Sequence, residues 1–426
     1  MRLLRGRLRW VLISFLFVMS AISYLARVNM SVAGQAVQKE YGWSNVQLGW
    51  VLSALILGYA FLQAPAGRLA DRFGPRLVIM VGVLWWSLFT MLTAVIPAGL
   101  GYSIWLMIVV RALVGMGEAV VFPASNRLVA DWIPTSERGL ANGLIFSGAG
   151  FGSAITPPLI TYLLVDVGWK WSFHACAFIG ILAGLLWYLL ARNRPQKHPF
   201  ISQAELDRIE AGTPAPAKTP GARQALPWGR ILRDKQVVLL SLSYFAFCYA
   251  VYIFFSWFFI YLNKARGLDL KSSSFYSMLP FLAMMLAAPS GGWIADRVSR
   301  RYGKRVGRCG LGLVALTGCA LLISLATQVE SARISSVILA CGAGAVYFGL
   351  SSYWAVTADI AGPSAGSASG LMNMVGQIGG VTASSLTPLI ADTFGWTPSF
   401  LVAAGLCVFG AIIWLFVDPN ARLQSR

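Results

Sequence analysis

The sequence predicts an all-α membrane protein of twelve transmembrane helices, arranged as two six-helix bundles with both termini in the cytoplasm. Three observations carry this. The 426 residues are 57% hydrophobic and only 12% charged, with a mean hydropathy of +0.67. A soluble chain of this length needs more polar surface. Twelve apolar stretches reach the ~20 residues that span a bilayer: 10–34, 46–66, 76–96, 102–124, 138–163, 171–191, 236–263, 272–294, 307–326, 333–358, 365–390 and 397–417. Of the 34 Lys and Arg residues, 26 fall on the side of the termini, six on the other, and two, Arg27 and Arg111, inside spans. This is the positive-inside bias, and it sets the orientation.

The first span is too long for a signal-peptide core and lacks a small-residue cleavage site, so it is kept as a helix. Later spans contain Gly and Pro, which transmembrane helices tolerate. The net charge of +18 follows topology, so it carries no nucleic-acid signal. Six cysteines, at 176, 248, 309, 319, 341 and 407, lie in or beside spans without a CxxC pair. They read as small packing residues, with no metal and no disulfide framework. The one long polar segment, 192–235, has a Pro/Ala/Gly-rich centre and a short amphipathic piece, ISQAELDRIE. It divides the chain into bundles 1–191 and 236–426 joined by a cytoplasmic linker.

The two halves repeat. GWKWSF at 168–173 aligns with GWTPSF at 395–400, and Trp187 with Trp414, at an offset of 227. GRLADRFG around Asp71 aligns with GWIADRVS around Asp296 at an offset of 225. Each half places a Thr-Pro, Thr156-Pro157 and Thr387-Pro388, shortly before its Gly-Trp. A six-plus-six parallel repeat is the mark of the major facilitator fold, whose substrate site lies near the midplane between halves. The repeated loop offers a gate: Asp71 and Arg72 in one copy, Asp296 and Arg297 in the other. Asp71 is expected at the N-terminus of span 11, near PSAGSASG, where the helix dipole favours an anion. An ordinary tight turn with topogenic arginines is the alternative.

Charged groups in spans cost roughly 2.5–3.5 kcal/mol each on insertion scales and usually face a cavity or a partner. Ser20, Tyr24, Arg27 and Ser31 share one face of span 1, and Arg111, Glu118 and Ser125 share one face of span 4. By axial rise, Arg27 and Arg111 sit at one level and Glu118 about 10 Å deeper. Two guanidiniums above a carboxylate describe an anion site over a proton site. A snorkelling Arg27 and a purely structural Arg111–Glu118 pair are the competing readings. Neutral stripes follow in other spans: Tyr59 and Gln63; Tyr249, Tyr252 and Ser256; Tyr347, Ser351 and Trp354; Asn373, Gln377 and Ser384. Hydroxyls and amides beside aromatic rings suit a polyhydroxylated ligand, although such residues also glue helices together.

GPSAG (362–366) fits a nucleophile-elbow pattern, but no strand precedes it, and neither His174 nor His198 is placed to activate Ser364. GAGFGS (148–153) reads as glycine packing in span 5, not as a dinucleotide loop. With no catalytic constellation left, an enzyme is not expected.

The stretches YLARVNMS, GYAFLQAPAGRLADRFGPR, RALVGMGEAVVFPASNRLVADWIPTSERG, NRPQKHPFIS, FFSWFFIYL and YWAVTADIAG resemble the anion:cation symporter branch of the major facilitator superfamily. That branch includes bacterial galactonate, glucarate and hexuronate transporters and the sialic acid and vesicular glutamate transporters. The resemblance implies proton-coupled symport of a small organic anion by alternating access. The substrate would be a sugar acid of hexonate, hexuronate, aldarate or sialate type. Protons would be the coupling ion, with no other cofactor, in a monomeric multi-pass protein of the bacterial inner membrane. Arg27 would grip the carboxylate and Glu118 take the proton, with Arg111 as its electrostatic partner. Tyr24, Tyr59, Ser351, Trp354 and Asn373 match positions lining the sugar-acid site. Two positions depart: Ala26 replaces the usual acid, leaving the proton to Glu118 and Arg27 without an adjacent counter-ion, and Gly148 or Ala149 replaces a glutamine of galactonate-type members. Exchange or export of another carboxylate, such as an aromatic acid, is the alternative, and a transporter-derived sensor the alternative of another class.

Overall fold

An apolar run inside a bilayer has no solvent partner for its backbone, so it must satisfy its own hydrogen bonds as a helix. The computed structural model describes residues 7–134, 137–212, 228–361 and 365–421, and these contain helices and no strand. In order, these are α1 Leu8–Tyr41, α2 Asn45–Phe73, α3 Pro75–Val95, α4 Ser103–Glu118, α5 Val121–Trp132, α6 Arg138–Asp166 and α7 Trp169–Leu190. Next come α8 Gln203–Gly212, α9 Trp228–Arg233, α10 Lys235–Ser256, α11 Phe258–Ile260 and α12 Leu270–Tyr302. The chain ends with α13 Gly310–Gln328, α14 Ala332–Phe348, α15 Leu350–Ala361, α16 Ala365–Phe394 and α17 Trp396–Phe416.

Among the described residues, eleven helical stretches are long and apolar enough to cross a membrane. The remaining expected span, 365–390, coincides with α16, which has 30 residues. Its MNMVGQIGGVTASS stretch dilutes the apolar character with Asn, Gln, Gly, Ser and Thr. Expected span 4 is interrupted directly after Glu118, between α4 and α5, and expected span 10 at Gly349, between α14 and α15.

The repeat appears in the backbone. Among the described residues, the six with positive φ are glycines, and they pair across the halves: Gly42 with Gly267 (φ 70° and 69°), Gly74 with Gly303 (84° and 87°), Gly168 with Gly395 (91° and 93°). The last pair is the Gly-Trp motif, where each glycine turns the chain into the following helix. Only glycine enters this conformation without a Cβ clash.

The helices form two units. One holds Met1–Asn29, Gly58–Ser153 and Leu163–Pro220; the other holds Met30–Leu57, Ala154–Tyr162 and Gly221–Arg426. In the first unit α6 lies against α1 through GAGFGS, so the reading of that motif as packing holds. A Cβ on Gly148 would land on the Phe17 carbonyl, and one on Gly152 on the Ala21 carbonyl. Small residues allow such backbone contact between membrane helices. Gly152→Val is therefore expected to lower the thermal midpoint of purified protein sharply and to broaden its size-exclusion peak. An unchanged midpoint would remove this packing role.

The predicted amphipathic piece of the linker is α8, and it is tied down. Glu205, 2% exposed, accepts the Leu8 and Arg9 backbone N–H groups at 3.1 and 3.0 Å, capping α1 from 197 residues away. Arg9 also donates to Glu205 at 3.3 Å and to Glu137 at 3.1 Å, and Arg208 donates to Glu137 at 2.6 Å. Arg9 is thus a structural residue. Burial by itself raises the Glu137 carboxyl pKa, but hydrogen bonds from Arg208 and Arg9 outweigh it and leave the pKa below the ordinary value. This tie is complete above the unfolded carboxylate pKa of about 4.3 and is lost as pH falls through the lower folded value. Limited proteolysis should therefore cut wild-type α8 only below about pH 4, whereas Arg208→Ala should be cut at higher pH. Equal pH profiles would contradict the tie. Residues 213–227, the Pro/Ala-rich centre, lie outside the described residues.

Candidate functional site

The first unit gathers the charged residues of spans 1 and 4. Arg27 Nη2 and Nε both donate to Glu118 Oε2, at 2.8 and 3.0 Å. Both side chains are buried, Arg27 with 8% of its surface exposed and Glu118 with 1%. The guanidinium carbon lies 4.7 Å from the Tyr24 ring centre and 4.5 Å from that of Tyr59. Two aromatic rings thus hold the cation while the carboxylate neutralises it. Gln63 Nε2 donates to the Tyr59 hydroxyl at 3.4 Å.

This geometry corrects the sequence reading in one respect and adds to it in another. Arg27 does not lack a counter-ion: α4 supplies it. Glu118 hydrogen-bonds to Arg27, not to Arg111, although Arg111 shares its helical face. The axial estimate measured Cα levels alone. Side chains lean towards the N-terminus of their own helix. Spans 1 and 4 run in opposite directions, so Arg27 and Glu118 lean towards each other and close the two-turn gap.

Arg111 is 1% exposed, and its Nε and Nη1 have no hydrogen-bond partner. Glu118 Oε1 is also buried without one. Glu118 and Arg27 act on Arg111 electrostatically, so two guanidiniums share one carboxylate. With all three ionised, this buried cluster carries one net positive charge. A desolvated cation without full hydrogen bonding is costly to a fold, and an arriving anion relieves that cost. Asn29, in the resembling Asn-x-Ser stretch, has a packing role: it accepts from the Ser172 hydroxyl at 2.9 Å and donates to Cys176 Sγ at 3.5 Å. All six cysteines are free.

The second unit brings part of the neutral stripes together. The Tyr252 hydroxyl donates to Gln377 Oε1 at 2.8 Å, and Gln377 Nε2 reaches Asn373 Oδ1, one turn earlier on α16, at 3.5 Å. Ser256 and Ser384 share a hydroxyl bond of 2.7 Å. On α15 the Ser351 hydroxyl is buried without a hydrogen-bond partner. Trp354 is 40% exposed, its ring centre 6.4 Å from that of Tyr244.

Of the gate residues, Asp71 meets Arg127 on α5 at 3.6 Å, and Arg127 also meets Asp131 at 3.5 Å. The start of PSAGSASG, near which Asp71 was expected, includes residues 363 and 364, which lie outside the described residues. Arg72 and Arg297 rest near Phe73 and Trp293, at 5.2 and 5.5 Å. In the second unit Asp359 takes the salt bridges of this motif, from Lys304 at 3.1 Å and from Arg308. Asp359 follows Asp131 by 228 residues, near the repeat offset. That spacing was the available signal for it.

Comparison with known proteins agrees with this architecture. The chain is 32% identical over 425 residues to a probable sulfoacetate transporter of Cupriavidus necator, covering 99% of this chain and 96% of that protein. It is 30% identical over 413 residues to the hexuronate transporter of Bacillus subtilis, covering 96% and 94%. A bacterial homologue of the human lysosomal transporter Spinster superposes with a TM-score of 0.78 at 18% identity, covering 96% of this chain and 97% of that one. Residues 16–384 and 304–425 match the Major Facilitator Superfamily. The chain therefore belongs to the Major Facilitator Superfamily and is a multi-pass membrane transporter, not an enzyme.

Proposed function

We propose that this transporter carries a small organic anion, a sugar acid or a comparable carboxylate or sulfonate, in symport with a proton. The end bearing the termini and linker faces the cytoplasm of a bacterium, as the placement of Lys and Arg indicates. The observation that carries the reading is the buried pair of Arg27 with Glu118 beside the incompletely bonded Arg111. The names of the relatives, sulfoacetate and hexuronate transporters, support the ligand class.

In the proposed cycle the substrate's acidic group replaces Glu118 on Arg27, and a proton neutralises the released carboxylate. The anion and the proton enter together, so the net charge of the cluster is unchanged and no further uncompensated charge is occluded in a medium where it is expensive. Tyr24 and Tyr59 hold the guanidinium in place, and Arg111 adds a second positive field. Tyr252, Gln377, Asn373, Ser351 and Trp354 are assigned to the hydroxyl-bearing remainder of the substrate. Asp71, Arg72, Asp296 and Arg297 are assigned to gating. The coupling ion is the proton, and the working unit is the monomer.

A thermal-shift panel of sugar acids, sulfonates and other carboxylates on purified protein tests the reading. At least one class should raise the midpoint of the wild type and leave that of Arg27→Ala unmoved. Equal stabilisation of both proteins would overturn the assignment of Arg27.

A further inference from the structure

In the second unit, Gln35, Gln38, Lys39, Trp43, Asn45 and Lys264 bound an open depression of about 440 Å³, within the ~300–1,000 Å³ common for small-molecule sites. Its lining includes two ammonium groups and no carboxylate. Lys264, on the helical turn Tyr261–Ala265, donates to the amide oxygens of Gln38 at 3.1 Å and Asn45 at 3.5 Å. Gln38 donates in turn to Asn45 Oδ1 at 3.0 Å, and Asn45 to Asp392 Oδ1 at 2.6 Å. This chain of bonds links α1 and α2 to Lys264 and to α16. The Gln35 amide nitrogen is buried without a hydrogen-bond partner. The start of α2 is already capped, because the Ser44 hydroxyl accepts from the Gln47 N–H at 3.2 Å. The anion-seeking groups are therefore the side chains. Burial lowers the pKa of the Lys264 ammonium, with Asp392 opposing the shift.

We infer that this depression is an entry subsite for the acidic group of the incoming anion, and that docking draws Lys264 away from Gln38 and Asn45. A carboxylate is a stronger acceptor for an ammonium than an amide oxygen is. The transfer therefore removes a tie between the α1–α2 segment and the Lys264 turn. The ligand class rests on the organic-anion reading above.

Lysine footprinting of the full-length protein tests the inference, with an amine-acetylating reagent and D-glucuronate as the probe. Glucose and sodium chloride at matched ionic strength are the controls. D-Glucuronate should slow acetylation of Lys264 and Lys39 several-fold beyond either control. The protection should persist in Arg27→Ala, whose central anion site is removed. Protection no greater than that from sodium chloride, or protection lost in Arg27→Ala, would overturn the subsite. Failure of the organic-anion reading has its own signature, thermal stabilisation that is indifferent to Arg27. As a functional check, Lys264→Gln should raise the KM for D-glucuronate uptake into cells several-fold at unchanged kcat, and a reduced kcat at unchanged KM would contradict the assignment.

Discussion

Glu118→Gln is expected to abolish accumulation driven by a pH gradient while sparing substrate exchange across proteoliposome membranes. Gln keeps the volume of Glu118 and can accept a hydrogen bond from Arg27, but it neither carries nor releases a proton. Uphill uptake should fall at least ~10-fold, because the carboxylate beside Arg27 is the only acid in the buried cluster described here. The variant should also be less stable without substrate, since two buried guanidiniums then lack their counter-ion; breaking a buried pair costs about 3–5 kcal/mol. An anionic substrate should restore more stability to it than to the wild type. Normal pH-driven accumulation by Glu118→Gln would remove the proton assignment.

Arg111→Met is expected to have effects of opposite sign on stability and transport. Arg111 is fully buried, and its Nε and Nη1 lack hydrogen-bond partners. Replacement by an apolar side chain of similar length removes an uncompensated charge and its repulsion from Arg27. A gain of about 1–4 kcal/mol in stability is expected, in the range found for apolar replacement of buried ionic groups. Substrate affinity should fall at the same time, because the cluster then carries no net charge to attract an anion. Thermal unfolding and transport kinetics of one preparation give both readouts. A destabilised variant with unchanged affinity would show Arg111 to be structural.

Much of the helical framework was legible in the sequence, because the bilayer imposes it. Expected span 76–96 is α3, Pro75–Val95, and expected span 397–417 is α17, Trp396–Phe416. Burial of every backbone group leaves an apolar run of that length one regular solution. The repeat was legible too, since Gly168 and Gly395 must both take a conformation that other residues avoid. Less legible were contacts made across the sequence. Glu118 lies 91 residues from Arg27, and helical spacing within span 4 pointed instead to Arg111. Periodicity within a helix gives a face, but not which neighbour it meets or how far a long side chain reaches along the axis. Glu205 was hidden for the same reason. An acid in a polar linker looks solvated until α1 begins beside it. The interruption after Glu118 spans two residues of apolar sequence and leaves no compositional mark.

Substrate binding measured together with proton uptake tests the central claim most directly. Calorimetric titration of purified protein with a stabilising anion, in two buffers of different ionisation enthalpy, counts the protons taken up per anion bound. The expected result is uptake of about one proton by the wild type, as the substrate displaces Glu118 from Arg27, and none by Glu118→Gln. Binding without proton uptake by the wild type, or equal uptake by Glu118→Gln, would contradict it.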